Sequence, residues 1–208
     1  GFSRKVNLRA VPSGRSFATE FVSSSFVEDE YELYKRYQMS VHGDSLSDCE
    51  EHRYRRFLVD SPLVAERMPN GRAGPPQGFG SFHVRYTLDG QLFAVGVVDI
   101  LPKCLSSVYL FFDPAFAALS PGVLSAVKEI EWVRDISHAV PEIEYYYMGY
   151  YIHTCPKMKY KAAFKPSEIL CEETRHWVPV GNAEAVLNEG RTVRLAPSGV
   201  PASTAAAN

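Results

Sequence analysis

The chain has 208 residues, of which 46% are hydrophobic, so it is long enough to bury a core of its own. Its 22 lysines and arginines nearly balance 24 aspartates and glutamates, so bulk charge does not indicate a nucleic-acid partner, and any contact with RNA needs a local basic patch. No apolar run approaches the roughly 20 residues of a membrane helix and the first residues lack a signal-peptide core, so we expect a soluble, intracellular chain without a membrane partner.

The first elements in the chain are a strand and a helix that follow a linker. Residues 1–16 hold scattered basic residues with proline and glycine, which is typical of a linker. Apolar and polar residues alternate over 17–23, which predicts a half-buried strand. The serines of 23–25 and the acids of 28–30 then provide caps and first-turn charge for a helix that continues to about Val41.

A second helix and a hairpin complete the first half. The helix is expected from 47 or 48 to 58. Three of its side chains are expected to face the core: Tyr54, Phe57 and Leu58. Two segments of period two, 81–88 and 91–101, flank Asp89-Gly90, which is the strongest short signal for a hairpin.

Strand and helix signals continue to residue 180. We expect a strand over 105–112, a helix opened by Ser120-Pro121-Gly122, an aromatic strand over 143–152, a short helix over 166–173 and a last strand over 176–180. After Pro179 the composition collapses to small and polar residues, so 181–208 is expected to be a mostly disordered tail. The order of elements predicts an α+β fold, with helices on a mixed sheet, in one domain over 17–180.

Four cysteines are spread singly along the chain: Cys49, Cys104, Cys155 and Cys171. No two of them form a Cys-x-x-Cys pair, so the sequence does not support a zinc knuckle or another metal site. Nothing marks a secretory context, so we expect thiols rather than disulfides.

Six segments in a fixed order carry a resemblance to a known family. They include YELYKRYQMSVH at 31–42, GSFH at 80–83, AVGVVDILPKCLSSVY at 94–109 and YYYMGYYIHTCPKMKYK at 145–161, with shorter matches at 61–63 and near Pro166 and Trp177. Over roughly 26–180 the chain resembles the eukaryotic arginyl-tRNA–protein transferases, or arginyltransferases. Six motifs in one order are far more specific than any single motif.

The resemblance implies the C-terminal, catalytic half of such an enzyme, with a fold similar to Gcn5-related N-acyltransferases. It implies transfer of arginine from arginyl-tRNA to the N-terminal amine of proteins that begin with Asp, Glu or oxidised Cys, which marks them for N-degron proteolysis in the cytoplasm or also in the nucleus. The family's N-terminal domain, whose cysteine cluster binds iron–sulfur or metal, has no counterpart in this sequence. We therefore expect a fragment or truncated form with no cofactor of its own.

Two residues of the hairpin are candidates for catalysis. Asp99 interrupts an apolar run and points away from its apolar neighbours. A buried carboxylate is costly without a partner, so Asp99 either orients or deprotonates the acceptor amine, or it binds backbone amides at a strand end. His83 lies on the neighbouring strand and is expected to approach Asp99, either as a catalytic residue or as a satisfied core histidine. Ser106 and Ser107 are not expected to be nucleophiles, because attack of an amine on an ester needs no covalent enzyme intermediate.

Three cations on or just after the first helix are candidates for binding the acceptor: Arg36, Lys35 and His42. An acidic N-terminal residue needs a cation, and the planar guanidinium of Arg36 can bind a carboxylate through two hydrogen bonds. A solvated helix face is the ordinary alternative for all three residues.

The segment that follows the tyrosines of 145–151 is the candidate for contact with tRNA. In an extended segment its lysines would share one face as a basic stripe: Lys157, Lys159 and Lys161. Beside a ring such as Tyr147, this stripe would contact phosphates while the ring stacks on a base. Ordinary solvated lysines are the alternative.

The start of the helix at residue 120 bears on which function the chain has. Ser120 and Gly122 would offer amides to a phosphate at the tRNA terminus, although Pro121 removes one amide. An acetyl-CoA-dependent N-acetyltransferase on the same fold would be expected to have more glycine in this loop. The second rival is a non-catalytic module that binds acidic N-termini or tRNA without transfer.

Overall fold

The computed structural model describes residues 14–68, 74–189 and 194–195. The chain divides after Gly149 into two compact units, and each is described by itself. The expectation of a single domain over 17–180 therefore stays a prediction, and most of the N-terminal linker lies outside the described residues. None of the helices in the described ranges is long and apolar enough to cross a membrane.

The larger unit is built on a five-stranded mixed sheet with helices on both faces. Its strands, in their order across the sheet, are β1 (Phe17–Ser23), β2 (Gly80–Leu88), β3 (Gln91–Ile100), β4 (Cys104–Phe112) and β5 (Tyr145–Tyr147). Its helices are α1 (Glu28–Tyr37), α2 (Glu51–Tyr54) and α3 (Pro121–Ser137), with π-helical turns at Gln38–His42 and Arg55–Val59 and 3-10 turns at Leu46–Asp48 and Pro114–Leu119. Neighbours from β1 to β4 are antiparallel, and β5 runs parallel to β4. The predicted α+β class, with helices flanking a mixed sheet, is confirmed.

The two faces of the sheet bury different cores. One core lies against α3 and includes Ile100 and Leu124. The other lies against α1 and α2 and includes Val97 and Tyr54. Because successive side chains of a strand point to opposite faces, Asp99 shares the face of Val97 rather than that of Ile100.

The hairpin between β2 and β3 forms where the sequence predicts it. Asp89-Gly90 has φ values of 52° and 79°, and positive φ at both central residues is what the two-residue hairpin turn requires. The register shifts by one residue between Tyr86 and Thr87. Beyond this shift Ser81 pairs with Asp99, so their side chains lie together on one face.

The serine caps expected from the sequence do not form. Helix α1 begins after Val27, and none of the serines of 23–25 caps it. Ser24 instead donates its hydroxyl to the carbonyl of Val59 at 2.8 Å, so a tertiary contact takes the group that local sequence assigns to the helix. Ser120, before α3, adopts a left-handed conformation with φ 52° and makes no side-chain cap hydrogen bond.

The smaller unit, from residue 150 onward, holds short elements. These are α4 (Pro156–Lys159), a 3-10 turn (Tyr160–Ala163), β6 (Glu168–Leu170), β7 (Trp177–Pro179) and α5 (Val180–Leu187). Strands β6 and β7 pair as an antiparallel two-stranded sheet.

Three predictions for the second half of the chain were wrong in part or in whole. The short helix expected over 166–173 is instead β6, because pairing with β7 overrides its local helix signal. The tail expected to be disordered from 181 begins as α5, because Val180 and Ala183 lie at helical spacing and are buried. Most of the rest of that tail lies outside the described residues. The aromatic strand expected over 143–152 is reduced to the three residues of β5.

Gly96 of β3 leaves no room for a side chain. A Cβ atom on it would lie 2.9 Å from Glu129 Oε1 and 3.5 Å from a ring carbon of Tyr86, and these two neighbours hydrogen-bond each other in the core. We expect Gly96→Ala to lower the free energy of unfolding by about 1–3 kcal/mol in urea denaturation, because one of the neighbours must move. Gly181→Ala is the control: it has open space in α5 and is expected to be neutral or slightly stabilising. Equal stability of both variants would show that the core yields freely at Gly96.

Candidate active site

Four polar residues form a row across adjacent strands of the larger unit. The row runs from Ser81 on β2 through Asp99 on β3 and Ser106 on β4 to Tyr147 on β5, each paired with the next. Side chains of paired residues point to the same face of a sheet, so the whole row faces the side of α1 and α2. The structure thus brings Asp99 and Tyr147, predicted for different roles, onto one face two strands apart.

The carboxylate of Asp99 is held by a chain of hydroxyl groups. Ser81 Oγ donates to Asp99 Oδ1 at 2.5 Å, and Ser61 Oγ lies 2.6 Å from Ser81 Oγ. The backbone N–H of Leu63 donates to Ser61 Oγ at 3.1 Å. Since the hydroxyl of Ser81 donates to Asp99, its oxygen accepts from Ser61. Each hydrogen bond in this series therefore donates in the direction of the carboxylate. Asp99 is therefore held in position rather than loosely solvated.

The Asp99 site is open to solvent on one side. Asp99 is half-buried and Ser61 is exposed. Cys104, which starts β4, is close enough that burial first, and then the charge of Asp99, raise the pKa of its thiol. The thiol therefore stays protonated near neutral pH and does not compete with an incoming amine as a nucleophile.

His83 shares a face with Asp99, two residues along the paired strands, but the hydrogen bonds of its ring go to other groups. The ring is fully buried, with Nδ1 2.5 Å from Glu30 Oε2 and Nε2 2.9 Å from the carbonyl oxygen of Leu58. Arg85, from the same strand, donates to the other oxygen of Glu30 at 2.7 Å. Because both ring nitrogens are used and no amine can reach them, His83 holds α1 and α2 on the sheet instead of contacting substrate.

The three acceptor candidates are engaged elsewhere. Lys35 pairs with Glu32 at 2.5 Å, Arg36 pairs with Asp113 at 3.5 Å, and the ring of His42 packs on Tyr37 with centroids 5.4 Å apart. Asp113 lies seven residues beyond Ser106 along β4 and its end, which corresponds to roughly 20 Å of extended chain. An acidic N-terminal residue carries its amine and its carboxylate together, so binding of the acceptor by Arg36 stays a prediction that this position does not favour.

The predicted lysine stripe is not a stripe. Lys157 and Lys159 lie on α4 and Lys161 lies in the turn that follows, all in the smaller unit. Residues of a helix are about 100° apart around its axis, so Lys159 points away from the other two. The ammonium of Lys161 donates to the carbonyl of Tyr150 at 2.8 Å, and burial lowers its pKa. Contact of these lysines with tRNA stays a prediction.

The predicted phosphate site at the start of α3 is weaker than its sequence indicates. The N–H of Ser120 donates to the carbonyl of Ala117 at 2.9 Å, and Pro121 has no N–H. Of the three residues at this turn, Gly122 is left as the candidate donor to a phosphate.

A buried carboxyl group on the opposite face of the sheet was missed by the sequence analysis. Glu129 of α3 is 2% exposed and accepts hydrogen bonds from Tyr86 at 2.9 Å and Tyr146 at 2.7 Å, with Ser107 as a third hydroxyl partner. These partners belong to β2, β4 and β5, so one side chain ties three strands to α3. Its signal in the sequence is a glutamate four residues before the buried Val133, on the same helix face.

Burial raises the pKa of Glu129 above its ordinary value of about 4.5, against the hydrogen bonds that lower it. The contribution of this group to stability is therefore complete below pH 4.5 and is lost as pH rises through the raised pKa. We expect wild-type chain to lose stability relative to Glu129→Gln as pH rises from 4 to 8 in urea unfolding series. Parallel pH profiles for the two chains would show that Glu129 ionises in the folded protein as it does in the unfolded one.

A cluster of basic and aromatic side chains on α2 and the π-helical turn after it was also missed. Tyr54 and Leu58 are buried as predicted, but Phe57, also expected to face the core, is 52% exposed, since the helix widens into a π-helical turn over Arg55–Val59. The exposed cluster lines an open cleft of about 570 Å³ and is named here the α2 surface: His52, Arg53, Arg56 and Phe57.

Metal ligands do not gather in the part of the chain that the structure describes. No three His, Cys, Asp or Glu side chains there come close enough together to hold a metal ion. The expectation that this chain holds no cofactor of its own stays a prediction.

Comparison with known proteins gives consistent matches. A family model described as "Arginine-tRNA-protein transferase, C terminus" matches residues 29–171. "Arginyl-tRNA--protein transferase 1" of Arabidopsis thaliana is 56% identical over 166 residues, covering 80% of this chain and 26% of that protein. The protein of the same name from Drosophila melanogaster is 46% identical over 166 residues, covering 79% of this chain and 33% of that protein. "Aspartate/glutamate leucyltransferase" of Chromobacterium violaceum is 30% identical over 158 residues, covering 76% of this chain and 57% of that protein.

The matched region contains the whole row from Ser81 to Tyr147 and the α2 surface. The chain spans about a quarter to a third of the length of these two eukaryotic relatives. Since the family model covers well over half of the sequence, the chain belongs to the family of the arginine-tRNA-protein transferase C terminus.

Proposed function

We propose that this chain transfers arginine from arginyl-tRNA to the N-terminal amine of proteins that begin with Asp, Glu or oxidised Cys, and so marks them for N-degron proteolysis in the cytoplasm or also in the nucleus. The observation that carries the proposal is Asp99, a carboxylate fixed by serine hydroxyls yet open to solvent. Arginine is favoured over leucine as the transferred residue because the relatives with the higher identities bear arginyl in their names.

A sheet like that of the Gcn5-related N-acyltransferases is part of the proposal. Strand β5 runs parallel to β4 but pairs only with residues 104–106. From 107 to 112, β4 therefore continues without a strand partner on that edge among the described residues. This geometry supports a cleft beside Ser106 in which the ester end of the donor lies next to Asp99.

The reaction joins the acceptor's α-amine to the activated ester of the aminoacyl-tRNA. The amine has a reference pKa of about 7.7–8.0, so it is partly neutral at cellular pH and attacks the ester carbonyl carbon. A C–N bond forms, the C–O bond to the terminal ribose breaks, and the ribose oxygen leaves with a proton. Asp99 accepts the proton that the attacking amine loses and passes it to the leaving ribose oxygen, while Ser81 keeps the carboxylate in position.

Alignment of the two substrates supplies most of the acceleration. The ester is already activated, and well-oriented reactants reach effective molarities of about 10⁵ M or more. In this proposal, the hydroxyl of Tyr147, a residue on the same face as Asp99, and backbone donors at the edge of β4 stabilise the negative charge on the ester oxygen.

The test is direct. Radiolabelled arginyl-tRNA and leucyl-tRNA are mixed in turn with the chain and with peptides that begin with Asp, Asn or Ala, and label is followed into peptide. Label from arginyl-tRNA on the Asp peptide alone is the expected result. Label from leucyl-tRNA instead would assign the donor differently, and label on all peptides would remove the acceptor rule.

No label on any peptide, with the fold intact and tRNA bound, would support the non-catalytic module. An acetyl-CoA-dependent N-acetyltransferase is disfavoured by the start of α3, where Ser120 and Pro121 offer no amide to a pyrophosphate. Acetyl transfer to the same peptides from labelled acetyl-CoA would reverse that ranking.

A further inference from the structure

The α2 surface combines positive charge with an exposed ring, as sites for single-stranded nucleic acid do. His52 and Arg53 lie on α2, and Arg56 and Phe57 lie in the π-helical turn that follows it. They line one open cleft of about 570 Å³. Three of them carry or can carry positive charge, and the fourth is a half-exposed ring.

The basic residues of the α2 surface are exposed to solvent, and so are the acids beside them. Arg53 lies 3.7 Å from Asp48 with both side chains about half exposed, and His52 lies 3.2 Å from Glu50. Arg56 makes no ion pair with any residue in the described ranges. The neighbouring Arg55 differs, since it pairs with Glu51 at 2.6 Å and lies over the ring of Phe26.

Phe57 connects the α2 surface to the Asp99 row. Its ring contacts Tyr109 of β4 with centroids 5.1 Å apart, and Tyr109 pairs with Val97 of β3. Asp99 is two residues further along β3 on the same face, roughly 7 Å away along the strand. The end of a nucleic acid that binds at Phe57 is therefore within reach of the Asp99 carboxylate.

We propose that the α2 surface binds the single-stranded 3′ end of the aminoacyl-tRNA, with Arg53 and Arg56 on its phosphates and a base stacked on Phe57. This inference rests on the proposed function, because it assigns a surface to the donor of that reaction. An acidic side chain of an acceptor needs a single guanidinium, whereas paired cations beside an exposed ring, in a cleft much larger than one side chain, fit phosphates and bases.

The experiment uses the full chain and two probes: uncharged tRNA for arginine, and the same tRNA without its four 3′-terminal nucleotides. Binding is measured by fluorescence anisotropy at several salt concentrations. Arg56→Ala is expected to weaken binding of intact tRNA about 5-fold and to reduce the salt slope by about 0.7. Phe57→Ala is expected to weaken it about 10-fold without a change in slope.

Arg134→Ala is the matched control, because Arg134 is an exposed arginine on α3, on the other face of the sheet, and should leave binding unchanged. Circular dichroism of each variant shows that the fold is kept. Wild-type chain and Phe57→Ala should bind the truncated tRNA equally well.

Three outcomes overturn the proposal: variants that bind intact tRNA like wild type, wild-type chain that does not distinguish intact from truncated tRNA, or Arg56→Ala that changes only the KM of the acceptor peptide. Failure of the proposed function gives a different pattern. In that case the wild-type chain transfers no amino acid while the α2 variants still lose affinity for intact tRNA.

Discussion

Replacing Asp99 with asparagine should lower the rate of aminoacyl transfer by about 10²–10⁴-fold, the usual contribution of a positioned acid or base. Asparagine has nearly the shape of aspartate, and its carbonyl oxygen still accepts the 2.5 Å hydrogen bond from Ser81. The hydroxyl chain through Ser61 therefore stays in place, and what is lost is the capacity to take a proton from the amine.

The measurement is single-turnover transfer from arginyl-tRNA to an Asp peptide at saturating concentrations, together with separate binding of each substrate. Binding should change less than about 3-fold, since the shape of the site is kept. Ser81→Ala is the graded control: it keeps the carboxylate but frees its position, and a loss near 10-fold is expected. Transfer by Asp99→Asn close to the wild-type rate would mean that water takes the proton and that Asp99 only supports the strand end.

The hairpin that carries Asp99 was predictable, but its partner was not. Counting back from Asp89-Gly90 without interruption would place Asp99 opposite Gly80 and leave Ser81 opposite Val98. The one-residue register shift between Tyr86 and Thr87 brings Ser81 to Asp99. A register shift depends on how the strands pack in three dimensions, and no local signal in the sequence marks it.

The surroundings of His83 and of the lysines differ from the predicted ones for physical reasons of the same kind. His83 was predicted on the correct strand, but its ring binds Glu30, which lies fifty-three residues earlier in the chain. Lys157 and its neighbours alternate with apolar residues, yet Pro156 begins a helix in which alternation no longer means a shared face. Family resemblance was sufficient to place the chain in its family, whereas the surroundings of individual side chains depend on tertiary contacts.

The missed residues share a different cause. Phe57 was read as core because apolar residues at helical spacing usually face inward, but a π-helical turn changes the spacing at that point. On α3 the periodicity predicts one apolar face of Val123, Val127, Ile130 and Val133; Val133 is buried, but Leu124 and Glu129 are buried in place of the first three. A glutamate inside a core violates the usual sequence pattern, and three hydroxyl partners from separate strands make it tolerable.

Glu30→Ala should be the most destabilising single change in the larger unit, with a loss of about 3–5 kcal/mol in the free energy of unfolding. The carboxylate is fully buried, accepts from Arg85 at 2.7 Å and lies 2.5 Å from Nδ1 of His83. Alanine would leave a ring nitrogen of the buried His83 without its partner, and Arg85 would keep only its hydrogen bonds to Asp29. Urea denaturation at neutral pH measures the loss, and Glu28→Ala, an exposed acid on the same helix turn, should change stability by less than about 0.5 kcal/mol.

The same Glu30→Ala substitution should also lower the affinity of the α2 surface for intact tRNA. The other ring nitrogen of His83 lies 2.9 Å from the carbonyl of Leu58, in the turn that presents Phe57 to solvent. Once His83 loses Glu30, that turn loses its anchor on β2, so affinity for intact tRNA should fall in Glu30→Ala even at temperatures where the chain is still folded. Glu30→Gln, which keeps one acceptor oxygen for the ring, should recover part of both the stability and the affinity. If stability fell while tRNA affinity stayed at the wild-type value, the α2 surface would be positioned by its packing on Tyr109 rather than by the buried His83 contact.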